Sequence, residues 1–332
     1  MAKQDYIRLC VLSAVIAVLP MMMKNDYYIG VCVFAAFNCL ACIGLSLLMG
    51  YAGQISLCQA AFIAIGAYSS AIFTVKLGWS PWIAMLAGAG LTGITAVSVG
   101  VPSLRLKGHY LAMATLGFGS ILNIVLIATV KLTGGPEGIN GIPDLNLFGT
   151  LLTSDRQFFL FFMGSRDAGA VLRVESDSFP YRQRTDGNSW QRGCCVRVRR
   201  QHRIVQNPDF IISAVYSSIA GSLYAYYVNY IDPGPFDITH SILLLTMVAV
   251  GGMHTIWGAV IGSILLTLLP EFLSFVSGYL RGFGIAYKPD YDILLYGGIL
   301  LSIMLFLPEG LSDGIVKLLR RVIPGTASSE NV

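Results

Sequence analysis

Long apolar runs separated by short polar or glycine-rich stretches recur along the chain. A bilayer core asks for about 20 apolar residues per helix. On that ruler the runs 6–23, 27–49, 57–75, 81–101, 110–130, 210–230, 241–253, 256–276 and 291–307 read as membrane segments. The run 241–253 is short enough to be re-entrant. A further stub, 158–163, is strongly apolar but too short to span. The pattern predicts an all-α, polytopic transmembrane helical bundle of about nine to ten membrane segments.

One interruption carries chemistry. Between the second and third runs the chain reads Gly50-Tyr51-Ala52-Gly53-Gln54-Ile55-Ser56-Leu57-Cys58-Gln59. Freed backbone groups at membrane depth are costly unless protein or water satisfies them. A glycine-interrupted hydrophobic pair is a pointer to a broken helix beside a transport path. Gly50, Gly53, Gln54, Ser56 and Gln59 are therefore candidate path residues, and Asn123, placed mid-span, joins them. The competing reading is a tight loop whose amides and hydroxyls only knit helices together, at about 0.6 kcal/mol per bond. His240 and His254 fall at span ends, and Glu271 follows Pro270 inside an apolar run. An intramembrane carboxylate is a functional candidate by default.

Composition supports the membrane reading. The chain is 55% hydrophobic and 12% charged, against about 25% charged in soluble domains. Small residues such as Gly88, Gly90 and Gly93 crowd the spans, which lets helices approach closely in lipid. Cys10, Cys32, Cys39, Cys42 and Cys58 lie in apolar runs, where cysteine packs as a small hydrophobe. Lys3 and Arg8 precede the first run, but no small-residue cleavage site follows, so this run reads as a retained span. The sequence contains no GxxxxGK[ST] loop, HExxH, paired carboxylates or Ser/His/Asp grouping. The expectation is no catalytic site, no metal, no cofactor and no nucleic-acid partner.

From Ser165 to Gln206 the character changes. Nine arginines and no lysine fall there, giving this segment a net charge of +5 while the whole chain carries +4. No helical or strand period runs through it.

Several motifs together carry a family resemblance. Gly50–Tyr68 is similar to the GYAGQxSLGxAAFxxIGAY signature of LivH/LivM-type permeases, the membrane subunits of bacterial ABC importers for branched-chain amino acids. Arg105-Leu106-Lys107-Gly108-His109-Tyr110-Leu111-Ala112, Leu132-Thr133-Gly134-Gly135, Ala220-Gly221-Ser222-Leu223-Tyr224-Ala225, Gly251-Gly252-Met253-His254-Thr255-Ile256-Trp257-Gly258 and Phe306-Leu307-Pro308-Glu309-Gly310-Leu311 resemble further family motifs in the family's order. Ala259 stands where the family usually has proline. The extra N-terminal span and the long loop after Lys131 fit the LivM branch. The resemblance implies import of leucine, isoleucine or valine across the bacterial inner membrane. It implies a second homologous permease subunit, two ATP-binding subunits, a periplasmic amino-acid-binding protein and surrounding membrane lipid as partners. Urea or a short amide is the alternative cargo within the family, and an ATP-independent secondary transporter the alternative outside it. High affinity would reside in the binding protein, so the path itself can be bland.

The family's cytoplasmic coupling segment has no counterpart here, so the ATPase-coupling residues stay unknown. Residues 1–163 and 210–311 read as the two parts of the permease domain, 164–209 as an anomalous segment and 312–332 as a cytoplasmic tail. Abrupt borders, matching length and lysine-free composition predict a frame-shifted translation bounded by two compensating shifts, which would leave the chain as printed non-functional. The alternative is a true basic loop that binds anionic lipid or a partner. Loop charges place both termini and the arginine-rich segment in the cytoplasm, with 131–156 and 231–237 in the periplasm.

Overall fold

The computed structural model describes residues 26–103, 106, 108–147, 150–151, 156–159, 164, 196–253, 255–282, 290–306 and 310–311. Its helices are α1 (Asp26–Ala52), α2 (Gln59–Val75), α3 (Pro81–Ser103), α4 (His109–Ala128), the single turn α5 (Val130–Thr133), α6 (Val196–Val228), α7 (Ile238–Gly251), α8 (Ile256–Gly282) and α9 (Asp290–Phe306). Five helical stretches, within α1, α3, α4, α6 and α8, are long and apolar enough to cross a membrane. The apolar helices α2, α7 and the 294–306 part of α9 are shorter. At 1.5 Å per residue α7, with 14 residues, is about 21 Å long, less than a hydrocarbon core of about 30 Å. The predicted span 6–23, most of the stub 158–163 and most of 165–206 lie outside the described residues, as does His254.

Burial sorts the helices. In α1, 83% of the most apolar window is buried, against 17% in α4. A spanning helix so enclosed is central. α2 is buried along nearly its whole length. The periphery carries the lipid-facing side chains, among them Leu86 and Ile94 on α3 and Ile121 and Ile124 on α4.

The packing repeats. α2 lies on α6 and α3, α3 on α6, and α4 on α2 and α3. In the second half α7 lies on α1 and α8, α8 on α1, and α9 on α7 and α8. Exchanging α1 with α6, α2 with α7, α3 with α8 and α4 with α9 maps the first set onto the second. Directions agree as well. Gln59 meets Ser213 and Ser70 meets Ser222, so α2 and α6 run parallel. Phe37 meets His240 and Cys42 meets Met247, so α1 and α7 also run parallel. Exchanged partners themselves run antiparallel: on α1 and α6, Phe34 meets Tyr227 while Gly44 lies against Ser213. The halves are thus inverted repeats, an architecture that places α2 and α7 together at the repeat interface.

Small residues build the central seam. Ala84, Gly88, Thr92, Ala96 and Gly100 form the buried stripe of α3. Thr92 Oγ1 donates to Gly88 O and reaches Ser218 Oγ at 2.9 Å. A Cβ on Gly66 would fall on the Ser218 backbone, and one on Gly221 on the carbonyl of Ile63. Without a hydrophobic drive between helices in lipid, this backbone proximity and the hydroxyl bonds across it hold the pair.

Two loops are stitched at one end of the bundle. β1 (Ile139–Asn140) pairs antiparallel with β4 (Tyr230–Ile231), while β2 (Asn146–Leu147) and β3 (Thr150–Leu151) form a separate hairpin. Asn229 Nδ2 donates to Ile142 O and to Asp144 Oδ1 at 2.6 Å. Lys76 Nζ, at the end of α2, donates to the carbonyls of Lys131 and Leu132. Loops 131–147 and 229–237 therefore share one end, the relation that the charge-based topology expects.

Gly221→Val should reduce the folded fraction sharply, because the added carbons meet backbone rather than a flexible side chain. Overpacking costs about 1–3 kcal/mol, and a backbone obstacle puts this change at the upper end. Gly90→Val, with nothing within 4 Å of its Cβ, should shift the unfolding midpoint in detergent far less. Equal shifts for the two variants would contradict the seam.

Candidate functional site

The interruption after α1 is a true helix break. α1 ends at Ala52, residues 53–58 form no helix, and α2 starts at Gln59. Gly53 takes φ +60°, and its position is open on the Cβ side, so the turn needs a residue free of Cβ strain. Ile55 is exposed while Gln54 and Ser56 turn inward.

Neighbouring helices satisfy the backbone freed by the break. Leu57 N–H donates to Thr115 Oγ1 of α4 at 3.0 Å. Ala60 N–H donates to Ser241 Oγ of α7 at 3.0 Å. Gln54 N–H reaches back to Leu48 O at 3.5 Å. Hydroxyls from both repeats thus cap a helix start that has no bulk water to turn to.

Gln59 is the centre of the cluster. It is 1% exposed, and its Nε2 lies 2.9 Å from Ser213 Oγ and 2.6 Å from Ser217 Oγ on α6. Its Oε1 is buried with no hydrogen-bond partner among the described residues, and so is Gln54 Oε1. Ser56 Oγ lies 3.1 Å from Cys58 Sγ. Chemically the site offers hydroxyl groups and two idle carbonyl acceptors beside a helix N-terminus, whose dipole end is positive. Donors and acceptors side by side, without a fixed charge, suit a passing zwitterion better than a bare ion. Among the described residues no three His, Cys, Asp or Glu side chains converge as metal ligands would.

Gln54, Ser56 and Gln59 are all buried at the break. Gln59 reaches Ser213 and Ser217 and Ser56 reaches Cys58, while Gly53 lies in the break and Gly50 near the end of α1. Asn123 lies elsewhere. Its Nδ2 is 3.3 Å from Pro233 O and 3.5 Å from Phe236 O, so it ties α4 to the turn before α7. Glu271 accepts from Tyr27 Oη at 2.8 Å, at the start of α1, and His240 stacks on Phe37. Sequence reading missed Thr115, Ser213, Ser217 and Ser241. Two of them carried a signal: Ser213 and Ser217 recur with Ser218, Gly221 and Ser222 at helical spacing and form one small-residue face of α6. Thr115 and Ser241 stand alone in apolar helices and carried none.

Residues 27–171 and 205–304 match the family described as branched-chain amino acid transport system, permease component. The match passes over 172–204, inside the arginine-rich segment. Two curated relatives are the "High-affinity branched-chain amino acid transport system permease protein LivM" of Escherichia coli (strain K12) and that of Salmonella typhimurium (strain LT2), each 28% identical over 298 residues. The alignment covers 81% of this chain and 66% of each relative, so the chain spans just under two thirds of their length. No solved structure matches.

Gln59→Leu removes the bonds to Ser213 and Ser217. Interhelical bonds in membranes average about 0.6 kcal/mol, with a maximum near 1.7, so the variant should stay largely folded. A path role predicts that uptake per folded molecule drops while the unfolding midpoint moves little. Parallel losses in both would reduce Gln59 to a helix tie.

Proposed function

The chain belongs to the family of branched-chain amino acid transport system permease components, and from that premise we propose that it forms the transmembrane path of an ATP-driven importer for leucine, isoleucine or valine. It is a multi-pass membrane protein, and its proposed location is the bacterial inner membrane. Its proposed partners are a homologous permease subunit, two ATP-binding subunits and a periplasmic amino-acid-binding protein. The observation that carries the reading is the broken helix at the repeat interface. Gly53–Cys58 opens the backbone, Thr115 and Ser241 hold it, and Gln54 and Gln59 keep idle acceptors beside it. In this account the site passes a zwitterion without gripping it. Gln54, Ser56 and Gln59 exchange hydrogen bonds with the ammonium and carboxylate, while Gly50 and Gly53 give the turn room to move. Asn123 acts from a distance, by fixing the turn that leads into α7.

The segment 165–206 is proposed to be a shifted reading frame. The family match stops at 171 and resumes at 205, which supports a bounded lesion rather than a general divergence. The helix start at Val196 then prolongs α6 with residues that are not the family's coupling segment.

One experiment addresses both proposals. The chain is co-expressed with its partner subunits, once as given and once with 165–206 replaced by the corresponding Escherichia coli LivM segment. The expected result is background leucine uptake for the first and ATP-dependent leucine uptake for the second. The coding DNA over residues 160–210 should show two compensating shifts. ATP-dependent leucine uptake by the chain as given would sink the frame-shift. Uptake of urea or a short amide but not leucine by the repaired chain would sink the cargo assignment.

A further inference from the structure

A closed aromatic layer lies between the stitched loops and the polar cluster. The turn Gly234–Phe236, stiffened by Pro233 and Pro235, delivers Phe236 inward, where it is 4% exposed. There it meets Tyr68 of α2 edge-on, with ring centroids 6.1 Å apart, and Tyr224 of α6 at 6.0 Å. Tyr224 leans on Phe37 of α1 at 5.1 Å, and Phe37 stacks on His240 of α7. Four central helices and one turn thus close a single layer of rings. Ser241, the residue that holds the start of α2, follows Phe236 by little more than one helical turn. Along α7, then, the rings come first and the polar cluster next.

Tyr68 stands out in this layer. It is 2% exposed, and its hydroxyl has no hydrogen-bond partner among the described residues. A phenylalanine would pack as well without that cost. Only four buried side-chain polar atoms among the described residues are unpartnered in this way, and three belong to Gln54, Gln59 and Tyr68, all within one short stretch of chain. A partner that comes and goes accounts for all three.

The segment that leads from the plug is short: α7 ends at Gly251, and Gly252 beyond it takes a φ of +121°, which favours glycine. Asn123 holds the opposite end through Pro233 O and Phe236 O. A tilt of α7 about its glycine end would draw Phe236 away from Tyr68.

We propose that Phe236 is the outer stopper of a path along the α2–α7 interface, and that the Tyr68 hydroxyl is the first polar group a cargo meets beyond it. This rests on the transport reading above. The fitting cargo is a small zwitterion with an apolar side chain: the rings accept the side chain, and the hydroxyl serves either charged end.

Access of a probe tests the stopper without any transport. Ser241→Cys is made in a chain whose native cysteines are replaced, and intact cells are treated with a membrane-impermeant maleimide. Labelling should be slow with Phe236 in place. It should become roughly tenfold faster with Phe236→Ala, as expected when a closed population opens, and stay slow with Phe236→Leu. Tyr68→Ala opens the same gap from the other wall and should also speed labelling. Glu137→Cys, exposed on the stitched loop, should label equally fast in every background and so reports insertion and sidedness. Unchanged labelling of Ser241→Cys in both Phe236→Ala and Tyr68→Ala, with Glu137→Cys labelled normally, overturns the proposal. So does labelling of Glu137→Cys from the cytoplasmic side only. The readout needs no cargo, so a wrong cargo assignment leaves it standing and a wrong stopper leaves the cargo assignment standing.

Discussion

A helix that begins inside an apolar interior must find partners for its first amides, and the centre of this fold depends on how α2 finds them. Thr115 comes from the first repeat and Ser241 from the second. Neither repeat alone can cap the break. The start of α2 is therefore complete only when the two halves have docked, which couples the geometry of the polar cluster to the relative position of α4 and α7. The same dependence gives the site its means of change. A small displacement of α7 alters the cap of α2 directly, because Ser241 and Phe236 ride on adjoining parts of one segment.

The seam around this cap follows from the solvent. Lipid offers helices no hydrophobic reason to associate. Association here rests on contact between backbones, at Gly66 and Gly221, and on hydroxyl pairs such as Ser70–Ser222 and Thr92–Ser218. Large apolar side chains point outward instead, as Leu86 and Ile124 do. At this seam the pattern inverts that of a soluble core, with small and weakly polar residues inside and bulky apolar residues outside. Away from the seam large side chains fill the interior as well, among them Leu40, Ile43, Phe62, Phe210 and Tyr226.

Much of this was legible in the sequence. The long apolar runs located the spans, since hydrocarbon thickness sets their length. The break at Gly53–Cys58 showed because glycine and glutamine are out of place in such a run. What Gln59 touches was less visible: Ser213 and Ser217 lie more than 150 positions away, and only the spacing of small residues on α6 hinted at a face. Asn123 illustrates the limit of a mid-span position. Its place along the helix suggested the path, but its azimuth and the turn it meets are tertiary facts. The inverted repeat left no matching motif, for α2 opens on Gln59-Ala60-Ala61-Phe62 and α7 on Ile238-Thr239-His240-Ser241. Two sequences can fill equivalent places when the shared requirement is only a short helix with a small inner face.

The central claim is that the serine face of α6 holds the start of α2. Disulfide formation tests it most directly, because a bridge demands close and well-directed Cβ atoms. Gln59→Cys is paired with Ser213→Cys, and separately with Ile212→Cys on the exposed side of α6, in an otherwise cysteine-free chain under mild oxidation. The account predicts rapid, near-complete cross-linking of the 59–213 pair and little of the 59–212 pair. Equal cross-linking of both pairs, or none at 59–213 in well-inserted protein, would contradict it.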